Sequence, residues 1–290
     1  MVVHLLSLEN TKLTRRAMLW IEIGLLALVT VAMFLGMYAA YSGPMQADPA
    51  AKQEQDIVAG YITWPGALLQ TLSLAGTSGL GGLMLIVLVG AVAAQEYTWR
   101  TLHVLISRGV PRTTLLAAKF LVLLVPVTLF VVVTLLIGAL LTALFTLQIR
   151  GGIDLAQIDF GALALAGLRT MYTLLPYGAL TFMLAVVTRS TVAAIGGGLG
   201  YALLLEVVVM QILSLIGGVF GQIWKYLPAG LSSSVLSLNR VTVLSGLAAN
   251  GEPTASGMVD PNLAAVGIAL YVLVFFGIAL WAFRRQDLTA

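Results

Sequence analysis

Six long apolar runs dominate this sequence and decide the solvent in which the chain can fold. A helix needs about 20 apolar residues to cross the hydrocarbon core of a bilayer, where backbone groups must bond within the protein. The runs occupy residues 17–41, 66–94, 115–147, 161–188, 192–219 and 263–283. Only 9% of the side chains are charged, too few to cover a soluble enzyme or DNA-binding domain. We therefore predict an all-α integral membrane protein with six transmembrane helices in one domain, residues 1–290.

Basic residues are unevenly divided between the two sides of the membrane. With the N-terminus inside, the cytoplasm holds Lys12, Arg15, Arg16, Arg100, Arg108, Arg112, Lys119, Arg189, Arg284 and Arg285, and the outside holds Lys52, Arg150, Lys225 and Arg240. Because Lys and Arg resist translocation, both termini are predicted to be cytoplasmic in a plasma-membrane protein. The alternative for the first run, a cleaved signal peptide, is disfavoured by its length and by Glu22 within it. The net charge of +3 gives no reason to expect a nucleic-acid partner.

Residues 1–16 predict a short helix that lies in the membrane interface. Apolar and polar positions alternate with helical spacing: the apolar set is Leu5, Leu6, Leu8 and Leu13, and the charged stripe is Glu9, Lys12 and Arg16. The basic groups of such a helix would face anionic headgroups while its leucines enter the acyl boundary. A solvated tail that only supplies topogenic charge is the alternative.

Residues 95–114, between the second and third runs, are too structured for a simple connector. They predict a short amphipathic helix with Trp99, Leu102, Leu105 and Ile106 on one face and Arg100, His103 and Ser107 on the other. Gly109 and Pro111 then end that helix. Nothing in the loop can bury its apolar face. Either a groove in a partner protein or the lipid surface must cover it.

This pattern resembles the permease subunits of type-2 ABC exporters, six-span proteins that work with a separate ATP-binding-cassette subunit. The matching residues after the second span are Glu96, Thr101, Leu102, Ser107, Arg108 and Lys119. The family usually has Gly before that Thr and an earlier Pro, whereas this chain has Arg100 and Pro111. A charged N-terminal interfacial helix and a long outer segment between spans five and six also match.

The resemblance implies that residues 96–112 are a coupling helix that docks in a groove of the ATPase. The residues expected to make this contact are Glu96, Trp99, Arg100, Leu102, Leu105, Arg108 and Arg112, the arginines forming a basic rim. Two copies of the ATPase would bind the ATP and Mg, so this chain itself is expected to be non-catalytic and to hold no cofactor. The other expected partners are membrane lipid and a second permease copy or a sister permease.

The outer segment, residues 217–262, is expected to fold back as short re-entrant or interfacial helices. It is less apolar than a span, yet it contains many embedded hydrophobic residues, and Pro228 is well placed to start a helix. Irregular backbone at membrane depth is tolerated only where protein surrounds it. Residues 250–262, rich in Gly, Pro, Ser and acids, are expected to be an exposed loop.

Three ionisable residues fall inside the predicted spans: Glu22, Arg169 and Glu206. A charge there is costly and normally faces protein or water, which makes them candidates for the transport pathway. Two structural alternatives compete. Glu22 is near the end of its span and could snorkel, and Arg169 with Glu206 could form a buried ion pair.

Other functions are less well supported by the sequence. The chain has no Cys, only two His and no phosphate-binding loop, so it cannot hydrolyse ATP unaided. An ion-coupled secondary transporter, with Glu22 or Glu206 as the proton carrier, is the main alternative and would predict inverted repeats. A membrane anchor without transport is a weaker one. The apolar spans favour hydrophobic or amphipathic cargo such as peptides, lipids or drugs.

The predicted topology can be tested by cysteine labelling, because the native chain contains no Cys. We expect a His103→Cys protein in intact cells to resist an impermeant thiol reagent and to react once the membrane is opened. A Ser256→Cys protein, placed in the predicted outer loop, should react in intact cells. Labelling of position 103 from outside would reverse the topology.

Overall fold

The computed structural model describes residues 2–43, 49–77, 79–98, 111–153, 159–216, 220–244 and 258–286, and every regular element in these ranges is helical. The α-helices are α1 (Val2–Thr14), α2 (Ala17–Tyr41), α3 (Pro49–Ile62), α4 (Gly66–Ala75), α5 (Leu80–Thr98), α6 (Arg112–Val122), α7 (Leu124–Arg150), α8 (Phe160–Thr188), α9 (Thr191–Leu199), α10 (Glu206–Ile216), α11 (Pro228–Leu244) and α12 (Pro261–Arg285). A π-helical segment, Gly200–Leu205, joins α9 to α10, and a 3-10 helix, Phe220–Tyr226, precedes α11.

Six helical stretches in the described ranges are long and apolar enough to cross a membrane, which confirms the predicted class and number of spans. They are Ala17–Tyr41, Gly66–Tyr97, Arg112–Arg150, Phe160–Thr188, Thr191–Leu213 and Pro261–Arg285. The ends of these stretches differ from the predicted ones by a few residues, for example Arg112 instead of residue 115 for the third span. The second span is also interrupted at Gly76, where α4 ends in extended backbone and α5 starts only at Leu80.

Contacts between the helix ends divide the bundle into two ends. The terminal end holds residues 2–16, 95–98, 111–119, 186–191 and 283–286. There Arg16 donates a hydrogen bond to Gln95 (2.8 Å), and Gln286 donates to the Val186 carbonyl (2.7 Å). At the distal end, which holds residues 38–43, 49–66, 145–153, 159–163 and 258–263, Gln148 donates to the Tyr38 hydroxyl (2.6 Å). Consecutive spans therefore alternate in direction.

Helix α8 forms the centre of the bundle. It packs against α5, α9, α11 and α12. In its apolar stretch 67% of the residues are buried, compared with 17% in spans five and six. Small buried residues such as Ala166, Gly167, Gly178 and Ala185 let its neighbours approach closely. The apolar faces that spans five and six leave open must be covered by lipid or by another chain.

The chain between spans five and six returns into the bundle. Ala229, in the first turn of α11, donates its backbone N–H to Glu206, which lies ten residues, or about 15 Å, inward from the end of α10. The Tyr226 carbonyl accepts from Tyr271, ten residues into α12. Helix α11 begins at Pro228, as predicted, and runs back toward the distal end. Together with the 3-10 helix it forms a hairpin, residues 220–244, whose tip lies at mid-depth among the spans.

Candidate functional site

Lys119 joins three helices at the terminal end. Its Nζ lies 3.0 Å from Oε2 of Glu9 in α1 and also pairs with the carboxylate of Glu96 in the last turn of α5. Lys12 binds the other Glu9 oxygen at 2.7 Å. The side chains of Lys119, Glu9 and Glu96 are only 11%, 8% and 7% exposed, whereas that of Lys12 is 44% exposed. We call Glu9, Lys12, Glu96 and Lys119 the charge cluster.

Helix α1 presents Glu9 to this cluster because one of its faces is buried by protein. Leu5, Glu9 and Leu13 are spaced four residues apart, and as whole residues they are 5%, 7% and 2% exposed. Helix α1 packs chiefly on α6. The expectation that Glu9 shares a headgroup-facing stripe and that these leucines enter lipid was therefore wrong. Leu8 does remain exposed. The sequence pattern marked an amphipathic helix but did not distinguish a protein surface from a lipid surface.

The pKa of Glu9 reflects this pairing. Burial by itself would raise the pKa, but the charge of Lys119 and hydrogen bonds from Lys12 and Lys119 outweigh burial, so the pKa lies below the ordinary value of 4.5. The ionised carboxylate is thus stabilised in the folded chain. Its contribution to stability is present above pH 4.5 and is lost as the pH falls through the lowered pKa.

A small cavity adjoins the charge cluster. It has a volume of about 40 Å³ and is lined by the charge cluster, Arg16 and Tyr97. The apolar wall includes Leu13, Leu116, Val122, Phe182, Val186 and Phe283. The buried Tyr97 hydroxyl has no partner among the described residues. Because one water needs roughly 10–15 Å³ and several polar partners, this space suits a few ordered waters.

The residues of the predicted coupling loop are placed only in part. Glu96 belongs to α5 and Arg112 is the first residue of α6, so the span helices extend into both ends of the predicted loop, residues 95–114. Trp99, Arg100, Leu102, Leu105 and Arg108 lie outside the described residues. Lys119 holds Glu96 close to the start of the third span and so braces the two helices that flank residues 99–110.

Arg112 was predicted to belong to a basic rim that faces the ATPase, and the structure shows that it also contacts the last span. Its Nη1 donates to the carbonyls of Arg284 (3.4 Å) and Gln286 (2.9 Å). These carbonyls lie at the C-terminal end of α12, where the last carbonyls of a helix have no partner within it and a cation is favourable. Arg112 therefore ties the beginning of α6 to the end of the last span.

The three pathway candidates do not come together. None of the ion pairs in the described part of the chain includes Glu22, Arg169 or Glu206, so the Arg169–Glu206 pair considered from the sequence is absent. Glu22 is 7% exposed, and its Oε2 has no partner among the described residues. Its side chain is enclosed rather than snorkelling.

Glu206 is enclosed by neutral donors at the tip of the hairpin. It accepts hydrogen bonds from the Tyr177 hydroxyl (2.7 Å), the Ala229 backbone N–H (3.1 Å) and Tyr201. In an α-helix, residues five apart such as Tyr201 and Glu206 point about 140° away from each other. The π-helical segment between them brings both side chains to one side. Glu206 thus caps the N-terminus of α11, where a negative charge is favourable.

Arg169, on the distal half of α8, is half-buried and touches the same hairpin. Its Nη1 lies 3.5 Å from Oδ1 of Asn239 in α11, and the Asn239 amide donates to the Ala166 carbonyl at 3.4 Å. Asn239 is 4% exposed. Sequence reasoning singled out Arg169 and Glu206 but missed Asn239, Tyr177 and Tyr201, whose only signal was a polar group within an apolar or partly apolar stretch.

The family model described as a protein of unknown function (DUF2705) matches residues 66–289, and the chain belongs to this family. No curated protein matches the chain. The matched range includes Glu96, Lys119, Arg169 and Glu206.

Replacing Lys119 with Met should destabilise the terminal end. It would leave two buried carboxylates without their shared cation, and breaking a buried pair typically costs about 3–5 kcal/mol. Lys12→Met is the matched control, since an exposed pair is worth at most about 1 kcal/mol. Thermal unfolding in detergent, with proteolysis of residues 2–16 as a second readout, measures the difference. Equal melting temperatures for the two variants would contradict the proposed role of the cluster.

Replacing Glu206 should loosen the hairpin. Glu206→Leu orphans the Tyr177 hydroxyl and the Ala229 N–H, at about 1–3 kcal/mol for each buried donor, while Glu206→Gln keeps part of the acceptor set. Tyr201→Phe, which removes one hydrogen bond, should have the smallest effect. Hydrogen exchange at residues 228–236 reports the loosening. If Glu206→Gln and Glu206→Leu both exchange and melt like the native chain, Glu206 has no structural role.

Proposed function

We propose that this member of the family is the membrane-spanning permease subunit of a type-2 ABC exporter. The observation that carries the proposal is the position of Lys119, which pairs with Glu9 of α1 and Glu96 of α5. These pairs connect the N-terminal helix and the helices on both sides of residues 99–110. A docking segment must be attached to helices that are fixed to one another if closure of an ATPase is to move the spans instead of only bending the loop.

The proposed energy source lies in a partner. The sequence contains no phosphate-binding loop, and the apolar stripe of Trp99, Leu102 and Leu105 fits helix-in-groove recognition by a cytoplasmic ATPase. The terminal end then faces the cytoplasm, in accord with the excess of basic residues there. Two ATPase copies would drive one transporter.

The exposed apolar faces of spans five and six support a second permease copy or a sister permease beside this chain. The pathway would then form between two permeases. The scarcity of polar groups on the spans favours hydrophobic or amphipathic cargo, such as a peptide, lipid or drug, moved outward.

An ion-coupled secondary transporter is the second candidate, and one observation favours it. Interrupted helices at matching places in two halves are typical of inverted-repeat transporters. Here the second span of each half is irregular, at Gly76 in span two and at Gly200–Leu205 in span five. Glu22, buried with one unpartnered oxygen, would be the proton carrier. Such a transporter does not require an ATPase, so dependence of transport on an ATPase distinguishes the two proposed functions.

The test is a Trp99→Ala plus Leu102→Ala double variant, expressed with its ATPase. We expect normal insertion, since no span is touched, together with loss of co-purification or of substrate-stimulated ATP hydrolysis. Truncated anchors at the centre of an interface cost about 2 kcal/mol or more each. The matched control is Leu136→Ala plus Leu140→Ala, which removes two large apolar side chains that are 65% and 62% exposed on α7, away from the faces proposed to meet a second permease.

Full retention of both binding and stimulation in the double variant would reject the docking role. Transport that continues without ATPase and collapses with the proton gradient would establish the secondary transporter instead.

A further inference from the structure

Arg169 is a charged group inside a span, and the described residues use few of its hydrogen-bond donors. A guanidinium has five N–H donors. In the described part of the chain, Arg169 makes one long hydrogen bond, 3.5 Å to Oδ1 of Asn239, and no ion pair. A half-buried cation at membrane depth with so few partners is costly unless an anion approaches it.

The depth of Arg169 places its guanidinium near lipid phosphates. Helix α8 has 29 residues and is about 43 Å long, close to the full thickness of a bilayer with its headgroups. Arg169 is nine residues from the distal start of α8, and its Cα therefore lies roughly 7 Å below the hydrocarbon boundary. Its Cβ tilts toward the helix N-terminus, which is the distal end. A long Arg side chain covers that distance by snorkelling.

The contacts of Asn239 are consistent with an Arg169 side chain that points toward the distal end. Asn239 accepts from Arg169 and donates to the Ala166 carbonyl, nearly one helical turn closer to the distal end. Asn239 is buried and contacts one side of the guanidinium from the hairpin, which leaves the other donors of Arg169 for a group that approaches from outside.

The open side of α8 next to Arg169 is apolar. Leu165 and Leu168, four and one residues before Arg169, are 43% and 60% exposed. A cation beside exposed leucines at the boundary of the hydrocarbon matches an amphiphile with an oxyanion head and an acyl tail.

We propose that Arg169, contacted on one side by Asn239, binds the phosphate of a membrane phospholipid whose acyl chain lies along Leu165 and Leu168. The phosphate supplies the negative counter-charge that Arg169 lacks among the described residues, and it accepts charge-assisted hydrogen bonds from the planar guanidinium. The site lies between α8 and the hairpin, so a bound lipid contacts both. This inference does not depend on the proposed export function, because lipid binding requires no ATPase.

Lipid retention by the purified full-length chain tests the proposal. The delipidated protein is titrated with phosphatidylglycerol or with a neutral glucosyl-diacylglycerol of the same acyl chains, and bound lipid is counted by native mass spectrometry. We expect retention of the phospholipid over the glycolipid. Arg169→Gln should weaken phospholipid binding about tenfold, the value expected for loss of charge-assisted hydrogen bonds, and Arg169→Lys should lie between.

Arg150→Gln is the matched control, since Arg150 is an exposed distal cation that donates to the Trp64 carbonyl, and its loss should leave retention unchanged. A photoactivatable phosphatidylglycerol provides a readout in the native chain, with crosslinks expected on residues 160–172. Unchanged retention in Arg169→Gln, equal retention of the glycolipid, or crosslinks absent from residues 160–172 would each overturn the proposal. So would a second copy of the chain that covers Leu165 and Leu168 and excludes lipid.

Discussion

Hydrocarbon offers no partner to a polar group, and this constraint decides where the helices of this chain meet. Two ionisable side chains, Lys119 and Glu206, enter the bundle where protein groups bind them. Lys119 lies between two carboxylates, and Glu206 lies among tyrosines and a helix N-terminus. Each of these residues joins elements that are far apart in the sequence. The contacts that satisfy buried charge therefore also set the positions of α1, α5, α6 and α11.

Helix α8 connects the two ends of the structure. At the terminal end the Val186 carbonyl receives Gln286, at mid-depth Tyr177 binds Glu206, and near the distal end the Ala166 carbonyl receives Asn239 of the hairpin. In the proposed exporter, a displacement of the braced helices at the terminal end would reach the hairpin through this central, tightly packed span. A role for the charge cluster and a role for the hairpin are thus parts of one proposal.

The features that could be predicted from the sequence are those that depend on neighbouring residues in the chain. The six spans follow from apolar length, α1 from helical spacing, and the start of α11 from Pro228. The partners of Lys119 and Glu206 depend on which helices pack together, and one chain's composition does not contain that information. The face of α1 was misassigned because an amphipathic pattern is the same toward lipid as toward protein. The contact of Arg112 with α12 required knowing that the two helix ends are neighbours.

In the proposed exporter the segment between α5 and α6 contacts an ATPase, and a site-specific crosslink can detect that contact. Single cysteines placed along residues 99–110 of this Cys-free chain are treated with a short thiol-to-amine crosslinker in membranes that contain the ATPase. We expect an adduct of the two subunits from positions 99, 102 and 105, and we expect its yield to change when ATP is trapped. Adducts with no ATPase from any position, together with reaction of the same cysteines with a lipid-soluble probe, would contradict it.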